Sequence, residues 1–368
     1  MKVAIDGTEG YLSQLTGTGV YVRGFVRELL AMNSGFDFTV LGIRSAGNET
    51  NHVVPESRLL LRSSQIRTLW SQFRLPLHLV GHRYDLLHMP DHKLPRLVPC
   101  RAVITVHDLA FMRFPETFSP AHLRRLLWFT RDSVRRADHI IAVSDATRKD
   151  LLELLEVESE KISVVPHGVD PTVFFPGPES PRTKVQYILS VGALQPRKNY
   201  IMLIRAFNNL CSREHKRIDL VIVGQRGWLW EPIEREARQG PFADRIHLEG
   251  YVTEQKLRSF YTHATMVAMP SKYEGFGIPL LEAMACGTPV LAANVSSFPE
   301  VIGDAGILLD ADKQDGWTEA MGRLLHNDEE RRVLREKGLR RVQAFSWKNT
   351  AEKTLSVYRS ILARPMRP

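Results

Sequence analysis

Short apolar runs alternate with longer stretches of helical spacing along the whole chain. In the first half, Val3–Asp6, Phe38–Leu41, Asp85–His88, Val103–Val106, His139–Ser144 and Ile162–Val165 read as strands. In the second half the strands are Tyr187–Val191, Leu220–Gly224, Ile246–Tyr251, Met266–Met269, Val290–Ala293 and Gly306–Leu309. The spacing predicts helices over Val20–Met32, Pro120–Ala137, Asp145–Leu155, Tyr200–Leu210, Glu329–Gln343 and Trp347–Ala363, and one entered near Pro279. Pro171, Pro176, Gly177, Pro178 and Pro181 break the pattern and predict a linker over 171–183. Alternating strands and helices on both sides of a linker predict two doubly wound, mostly parallel α/β domains, 1–170 and 184–346, with a cleft between them.

Composition adds limits rather than detail. The 368 residues, 43% hydrophobic and 24% charged, suit a soluble protein of two domains. No apolar run reaches the length of a membrane span. No secretory segment is read at Met1–Gly7, and a cytoplasmic location is expected. Three scattered cysteines suit neither a disulfide framework nor a zinc cluster. A formal charge of +8 favours anionic partners.

The stretch 270–289 carries the densest chemistry. A strand ends at Met269, a loop holds Glu274, Gly275, Phe276 and Gly277, and Pro279 suits the first turn of the helix that follows. A helix start with N–H donors is an anion site, and Glu274 and Glu282 bracket it. The plainer reading is a helix entry with a solvated glutamate. Arg197 and Lys198 follow the strand Tyr187–Val191 and fit a diphosphate, Arg as a bidentate fork and Lys as a point charge. His107-Asp108 follows the strand Val103–Val106, at the end that faces a ligand crevice in such sheets; a structural histidine is the alternative. Gly17-Thr18-Gly19 lies where a dinucleotide fingerprint would, but Val22 occupies the third glycine position, so a nicotinamide or flavin site is not expected.

Two basic stretches lie in the first half. Residues 56–83 combine arginines, among them Arg67 and Arg74, with Trp70 and Phe73. On the helix Pro120–Ala137, Arg124, Arg131 and Arg135 share a side with Trp128, opposite Leu123, Leu126, Leu127 and Val134. One reading is an interfacial helix on anionic lipid. The other is a solvated helix whose aromatics pack on a neighbour. No nucleic-acid motif accompanies the charge. Asp310-Ala311-Asp312 reads as loop acids rather than a metal site, and no nucleophile elbow or Walker A pattern is present.

Taken together and in order, Gly17-Thr18-Gly19, His107-Asp108, Gly192–Asn199 and Glu274-Gly275-Phe276-Gly277 with Glu282 resemble the retaining glycosyltransferases of family 4, of GT-B fold. The segments Val191–Asn199 and Gly224–Trp228 are similar to those of bacterial mannosyl- and rhamnosyltransferases. The resemblance implies an N-terminal acceptor-binding domain, a C-terminal nucleotide-sugar domain, and a final helix, 347–368, that crosses back onto the first. It implies that Arg197 and Lys198 hold the donor diphosphate and that Glu282 binds the ribose. Glu274 would bind the sugar, with Gly275, Phe276, Gly277 and Ile278 completing that pocket. Gly19 would approach the donor phosphate and His107 the reacting carbon. No cofactor or metal is implied. The expected donor is a nucleoside-diphosphate hexose, GDP-mannose preferred over a UDP- or dTDP-sugar. The expected acceptor is a saccharide or lipid-linked saccharide in surface polysaccharide synthesis, with Arg67, Arg74, Arg124 and Arg131 towards the acceptor or the inner membrane face. An epimerase and a nucleotide-sugar-binding pseudoenzyme are the alternatives.

Overall fold

The structure, a computed structural model, describes residues 1–11, 16–42, 70–177 and 185–365. The chain divides into two compact units. The first takes Met1–Arg113, Ser119–Gly168 and Trp347–Pro368; the second takes Val169–Ser346 and the short segment Phe114–Phe118.

The first unit is built on β1 (Lys2–Asp6), β2 (Asp37–Leu41), β3 (Leu86–Met89), β4 (Arg101–Val106), β5 (His139–Ala142) and β6 (Ile162–Val164). They pair in parallel in the order β2-β1-β3-β4-β5-β6. Strand order reverses between β1 and β3, the switch point of a doubly wound sheet. Val3, Ile5, Leu86 and Val103 are fully buried because helices cover the sheet on both faces.

The helix Trp347–Leu362 completes this core. Trp347, Ala351, Leu355, Tyr358 and Ile361 pack with Tyr21, Phe25 and Leu29 of the helix Gly17–Ala31. The approach is close enough to require a glycine, since a Cβ on Gly24 would lie 2.3 Å from the Trp347 ring.

The second unit is built on β7 (Gln186–Val191), β8 (Ile218–Val223), β9 (Ile246–Gly250), β10 (Met266–Met269), β11 (Val290–Ala293) and β12 (Ile307–Leu309). The order is β12-β11-β10-β7-β8-β9, again parallel throughout, with the reversal between β7 and β10. Trp317, Tyr200, Tyr261, Phe207 and Phe298 are its largest buried side chains. The proline-rich stretch after Gly168 begins within this unit: Phe174 is buried against Tyr261, and the Arg258 guanidinium lies 3.4 Å over the Phe175 ring.

All twelve expected strands are found, with ends shifted by a residue or two. The first helix departs from expectation. It starts at Gly17 rather than Val20, because the Thr16 hydroxyl caps it by accepting the Gly19 N–H at 3.3 Å. Gly17 and Gly19 are therefore helical residues of the first turn, not part of the preceding loop. The helices Leu75–His82, Glu231–Gln239, Glu254–His263 and Gln314–His326 were not anticipated. Among the described residues, no helix is long and apolar enough to cross a membrane.

Candidate functional site

The reversal of strand order in the second unit brings two loops together. Since β7 and β10 are hydrogen-bonded neighbours, the loops leaving their carboxyl ends emerge side by side. Pro196–Lys198 forms a tight turn after β7, and Asn199 ends it in the left-handed conformation at φ 59°. Its side chain donates to the Ala311 carbonyl at 2.8 Å, and the Lys272 N–H donates to the Arg197 carbonyl at 2.8 Å, which fastens the turn to the loop after β10. Gly192 has φ 150°, and a Cβ there would sit 3.1 Å from Lys198 Cε and from the Tyr200 hydroxyl.

Arg197, Lys198 and Glu274 meet where these loops join. Lys198 Nζ donates to Glu274 Oε1 at 2.5 Å, and Arg197 Nη1 donates to Glu274 Oε2 at 3.0 Å and to the Tyr273 carbonyl at 2.8 Å. The Ser271 hydroxyl also donates to Oε1, at 2.7 Å. Glu274 is 8% exposed. Burial alone would raise its carboxyl, but Lys198 and Arg197 outweigh burial and bring it down to about 2. Two cations against one carboxylate leave the cluster one positive charge in a desolvated place, which suits a polyanion.

The helix Ile278–Ala285 begins next to this cluster. Its cap, Gly277, has φ 112°, and a Cβ there would meet the Phe298 ring at 2.9 Å. No side chain caps the helix, so its positive end is not neutralised from within. The Ser297 hydroxyl lies 3.0 Å from the Glu274 carbonyl and 2.7 Å from that of Phe276, and the Ser296 hydroxyl also reaches the Glu274 carbonyl. These contacts hold Glu274–Gly277 in one conformation beside Ile278.

Glu282, one turn into the helix, has a different environment. It is 6% exposed and accepts the Tyr261 hydroxyl at 2.8 Å. Burial pushes its carboxyl up to about 7, against the smaller effect of Tyr261. The two glutamates of the Glu-x7-Glu spacing are thus a fixed anion and a carboxyl that titrates near neutrality. Asp312 is paired with Lys272 at 2.9 Å, and Asp310 Oδ1 accepts the Asp312 N–H at 3.0 Å.

The first unit holds His107, just past the carboxyl end of β4. Its Nε2 lies 2.8 Å from the Pro90 carbonyl. A carbonyl only accepts, so Nε2 carries the proton. Burial lowers the ring's basicity, which leaves a neutral imidazole with Nδ1 as the acceptor. The ring stacks on His167, 5.3 Å away and 4° from parallel, and the edge of Tyr21 packs against both. Beneath them His88 bridges the Tyr358 hydroxyl at 2.6 Å and the Thr105 hydroxyl at 2.8 Å. Gly19 is buried in the first turn of its helix, and Arg74, Arg124 and Arg131 are exposed on the surface of this unit. Arg67 lies outside the described residues.

Ser271, Tyr261 and His167 belong to these clusters and were not singled out from the sequence. His167 carried the same signal as His107, a histidine just past the carboxyl end of a strand. Tyr261 sits in a helix that was not anticipated, and only the tertiary fold brings it to Glu282.

Comparison with known proteins agrees with this architecture. Residues 175–341 match the family described as Glycosyl transferases group 1, and residues 15–173 match Glycosyltransferase Family 4. The chain is 32% identical to the O-antigen chain mannosyltransferase B of Escherichia coli, over 98% of this chain and 100% of the relative. It is also 32% identical to the MMP alpha-(1->4)-mannosyltransferase of Mycolicibacterium hassiacum, over 62% of this chain and 56% of that one. Among solved structures, sucrose-phosphate synthase from Thermosynechococcus elongatus superposes with a TM-score of 0.79 at 21% identity, covering 99% of each chain. WaaG, a glycosyltransferase involved in lipopolysaccharide biosynthesis, superposes with a TM-score of 0.74 at 18% identity, covering 97% of this chain and 99% of that one. The two doubly wound α/β units expected from the sequence are those of the GT-B fold.

Proposed function

The chain belongs to the group 1 glycosyltransferases, and from that premise we propose that it transfers a hexose, with retention of configuration, from a nucleoside-diphosphate sugar to a saccharide or lipid-linked saccharide. The observation that carries this reading is the cluster of Arg197, Lys198 and Glu274 at the switch point of the second sheet. Arg197 and Lys198 take the diphosphate, with the positive end of the helix Ile278–Ala285 behind them. Glu274 takes sugar hydroxyls, with the N–H groups of Gly275, Phe276 and Gly277 and the start of the helix at Ile278 around it. Glu282 takes the ribose hydroxyls. In this reading Gly19 and His107 of the first unit serve the donor phosphate and the reacting carbon, respectively.

In the reaction, the bond from the anomeric carbon to the diphosphate oxygen breaks and the acceptor hydroxyl oxygen bonds to that carbon from the same face. The hydroxyl proton passes to the leaving phosphate. Negative charge grows on the diphosphate, and the preorganised cations stabilise it there. Because the chain itself supplies that charge, the enzyme is read as metal-independent. Retention by a covalent intermediate would need a free carboxylate nucleophile, whereas the charge of Glu274 is committed to two cations.

The full-length likeness to an E. coli mannosyltransferase supports mannose, hence GDP-mannose, and a role in polysaccharide synthesis. A UDP-sugar is the second reading, favoured by the likeness to HepE, solved with UDP and glucose, at a TM-score of 0.73 and 16% identity. A lipid-linked acceptor places the protein at the inner face of the cell membrane. The test is a thermal-shift screen of GDP, UDP and dTDP with their sugars. A ligand at a hundred times its Kd adds about 2.7 kcal/mol to stability. GDP and GDP-mannose are expected to raise the Tm most; no shift with any nucleotide would sink the proposal.

A further inference from the structure

Among the described residues of the first unit, one helical segment exposes an apolar stripe. The helical segment Trp70–His82 buries Trp70, Leu75, Pro76 and Leu79. Its outer side carries Phe73, 63% exposed, Leu77, 73% exposed, and Val80. These are four and three positions apart, so they form one face. A solvated helix would carry polar residues there.

A second exposed apolar group is tied to this segment through Gln72 and Arg96. Gln72 accepts the Arg96 N–H at 3.2 Å, and the Arg96 guanidinium lies 5.1 Å over the exposed Trp128 ring. Leu97, also exposed, lies on the same connecting loop. Arg136 holds that loop by donating to the Pro95 carbonyl at 2.7 Å. Trp128 stands between Arg124, one turn before it, and Arg131, one turn after, both exposed. Arg74 thus follows Phe73 directly, Arg96 lies over Trp128, and Arg124 and Arg131 flank Trp128 on its helix, all four exposed. The helix Pro120–Arg136 holds five arginines against one acid, Asp132, which is already paired with Arg136 at 2.7 Å.

We propose that this surface seats in an anionic lipid interface, Phe73, Leu77, Leu97 and Trp128 entering the headgroup–acyl boundary and the arginines meeting lipid phosphates. Large exposed apolar residues with cations beside them match a bilayer surface, where each basic residue gains from the negative potential and each apolar one from leaving water. This rests on the membrane-face reading of the enzyme and names the residues that make the contact. Of the two roles open to Arg74, Arg124 and Arg131, acceptor or membrane, it takes the membrane.

The test is sedimentation of the full chain with vesicles of phosphatidylglycerol or of phosphatidylcholine. Wild type is expected to pellet with phosphatidylglycerol and far less with phosphatidylcholine. A fraction is expected to stay bound in about 1 M salt, where screening reduces the Debye length to about 3 Å and leaves apolar insertion in place. The Phe73→Ser/Leu77→Ser variant should lose at least about tenfold in the ratio of bound to free protein. Its Tm and its thermal shift with nucleotide should match wild type, since neither residue is buried. If the variant binds as wild type does, the apolar stripe is not the contact, while the membrane reading stands. If wild type does not pellet even at low salt, both are overturned, and the nucleotide shift still reports on glycosyl transfer independently. A concentration-dependent dimer abolished by the same variant would make the surface a contact between copies, and would overturn the proposal.

Discussion

The Lys198 ammonium lies 2.5 Å from the Glu274 carboxylate, in a desolvated place between the loops of two neighbouring strands. Each side chain is about 10% exposed, so neither charge has much water to fall back on. Removing one partner of such a pair costs about 3–5 kcal/mol, because the other charge stays behind. Glu274→Gln, which leaves Lys198 and Arg197 without their carboxylate, is therefore expected to lower stability markedly, and Lys198→Met, which leaves Glu274 paired with Arg197, to lower it less. Transfer should behave differently. Lys198→Met should lose on the order of 10²–10³ in kcat in spite of its smaller loss of stability. Unfolding in urea together with steady-state transfer separates the two effects.

Glu282 predicts a pH dependence of opposite sign to that of Glu274. Its folded carboxyl titrates at about 7 against an ordinary 4.5, so between these values the folded chain holds a proton that the unfolded chain has released. Stability from this group is complete below 4.5 and falls as pH rises to about 7, by on the order of 3 kcal/mol at about 1.4 kcal/mol per unit. Glu274, at about 2, contributes stability above 4.5 that is lost only as pH falls towards 2. Melting curves from pH 4.5 to 7.5 for wild type and Glu282→Gln check this. The difference between them should grow with pH in favour of the variant; a constant difference would count against the assignment.

In the first unit His88 gives the reverse slope. Burial holds it at about 3 against 6.5, so the unfolded state takes up the proton first and stability falls as pH drops from 6.5 towards 3. Its two ring nitrogens are satisfied by Tyr358 and Thr105. Tyr358→Phe leaves one of them buried without a partner, for a loss of about 1–3 kcal/mol. Thermal unfolding at pH 7.5, where His88 is neutral in both states, isolates that loss.

The contact of Gly24 with Trp347 is a test of packing alone. Gly24→Ala puts a methyl group against the indole and should cost about 1–3 kcal/mol or more as the helices separate. Gly24→Ala with Trp347→Leu should be more stable than Gly24→Ala. An Ala variant with wild-type Tm would mean that the two helices yield easily.

Much of this was legible in the chain before any coordinates. Parallel strands buried on both faces are apolar throughout, so runs such as Met266–Met269 stand out without an alignment. Glu254–His263 and Glu231–Gln239 did not stand out, because each buries only one or two side chains and otherwise reads as polar. Arg197, Lys198 and Glu274 were visible as separate motifs. That they pair with one another is a consequence of β7 lying next to β10, and strand order is not written in local spacing. The exposed stripe Phe73–Val80 was hidden for a related reason: apolar residues on a helix look alike in sequence whether the core or the solvent receives them.

The helix Trp347–Leu362 also has a consequence for biosynthesis. It supplies one wall of the first unit's core, and Val169 pairs with Ser346 where the chain leaves that unit and returns. A ribosome delivers the first unit's sheet early, but its closing helix arrives only after the whole of Val169–Ser346 has been made. The second unit is continuous from Val169 to Ser346 apart from one short segment, and it can finish folding first. Until then the faces of Tyr21, Phe25 and Leu29 wait uncovered, so the growing chain is most exposed to chaperones and proteases at the end of synthesis that was translated first.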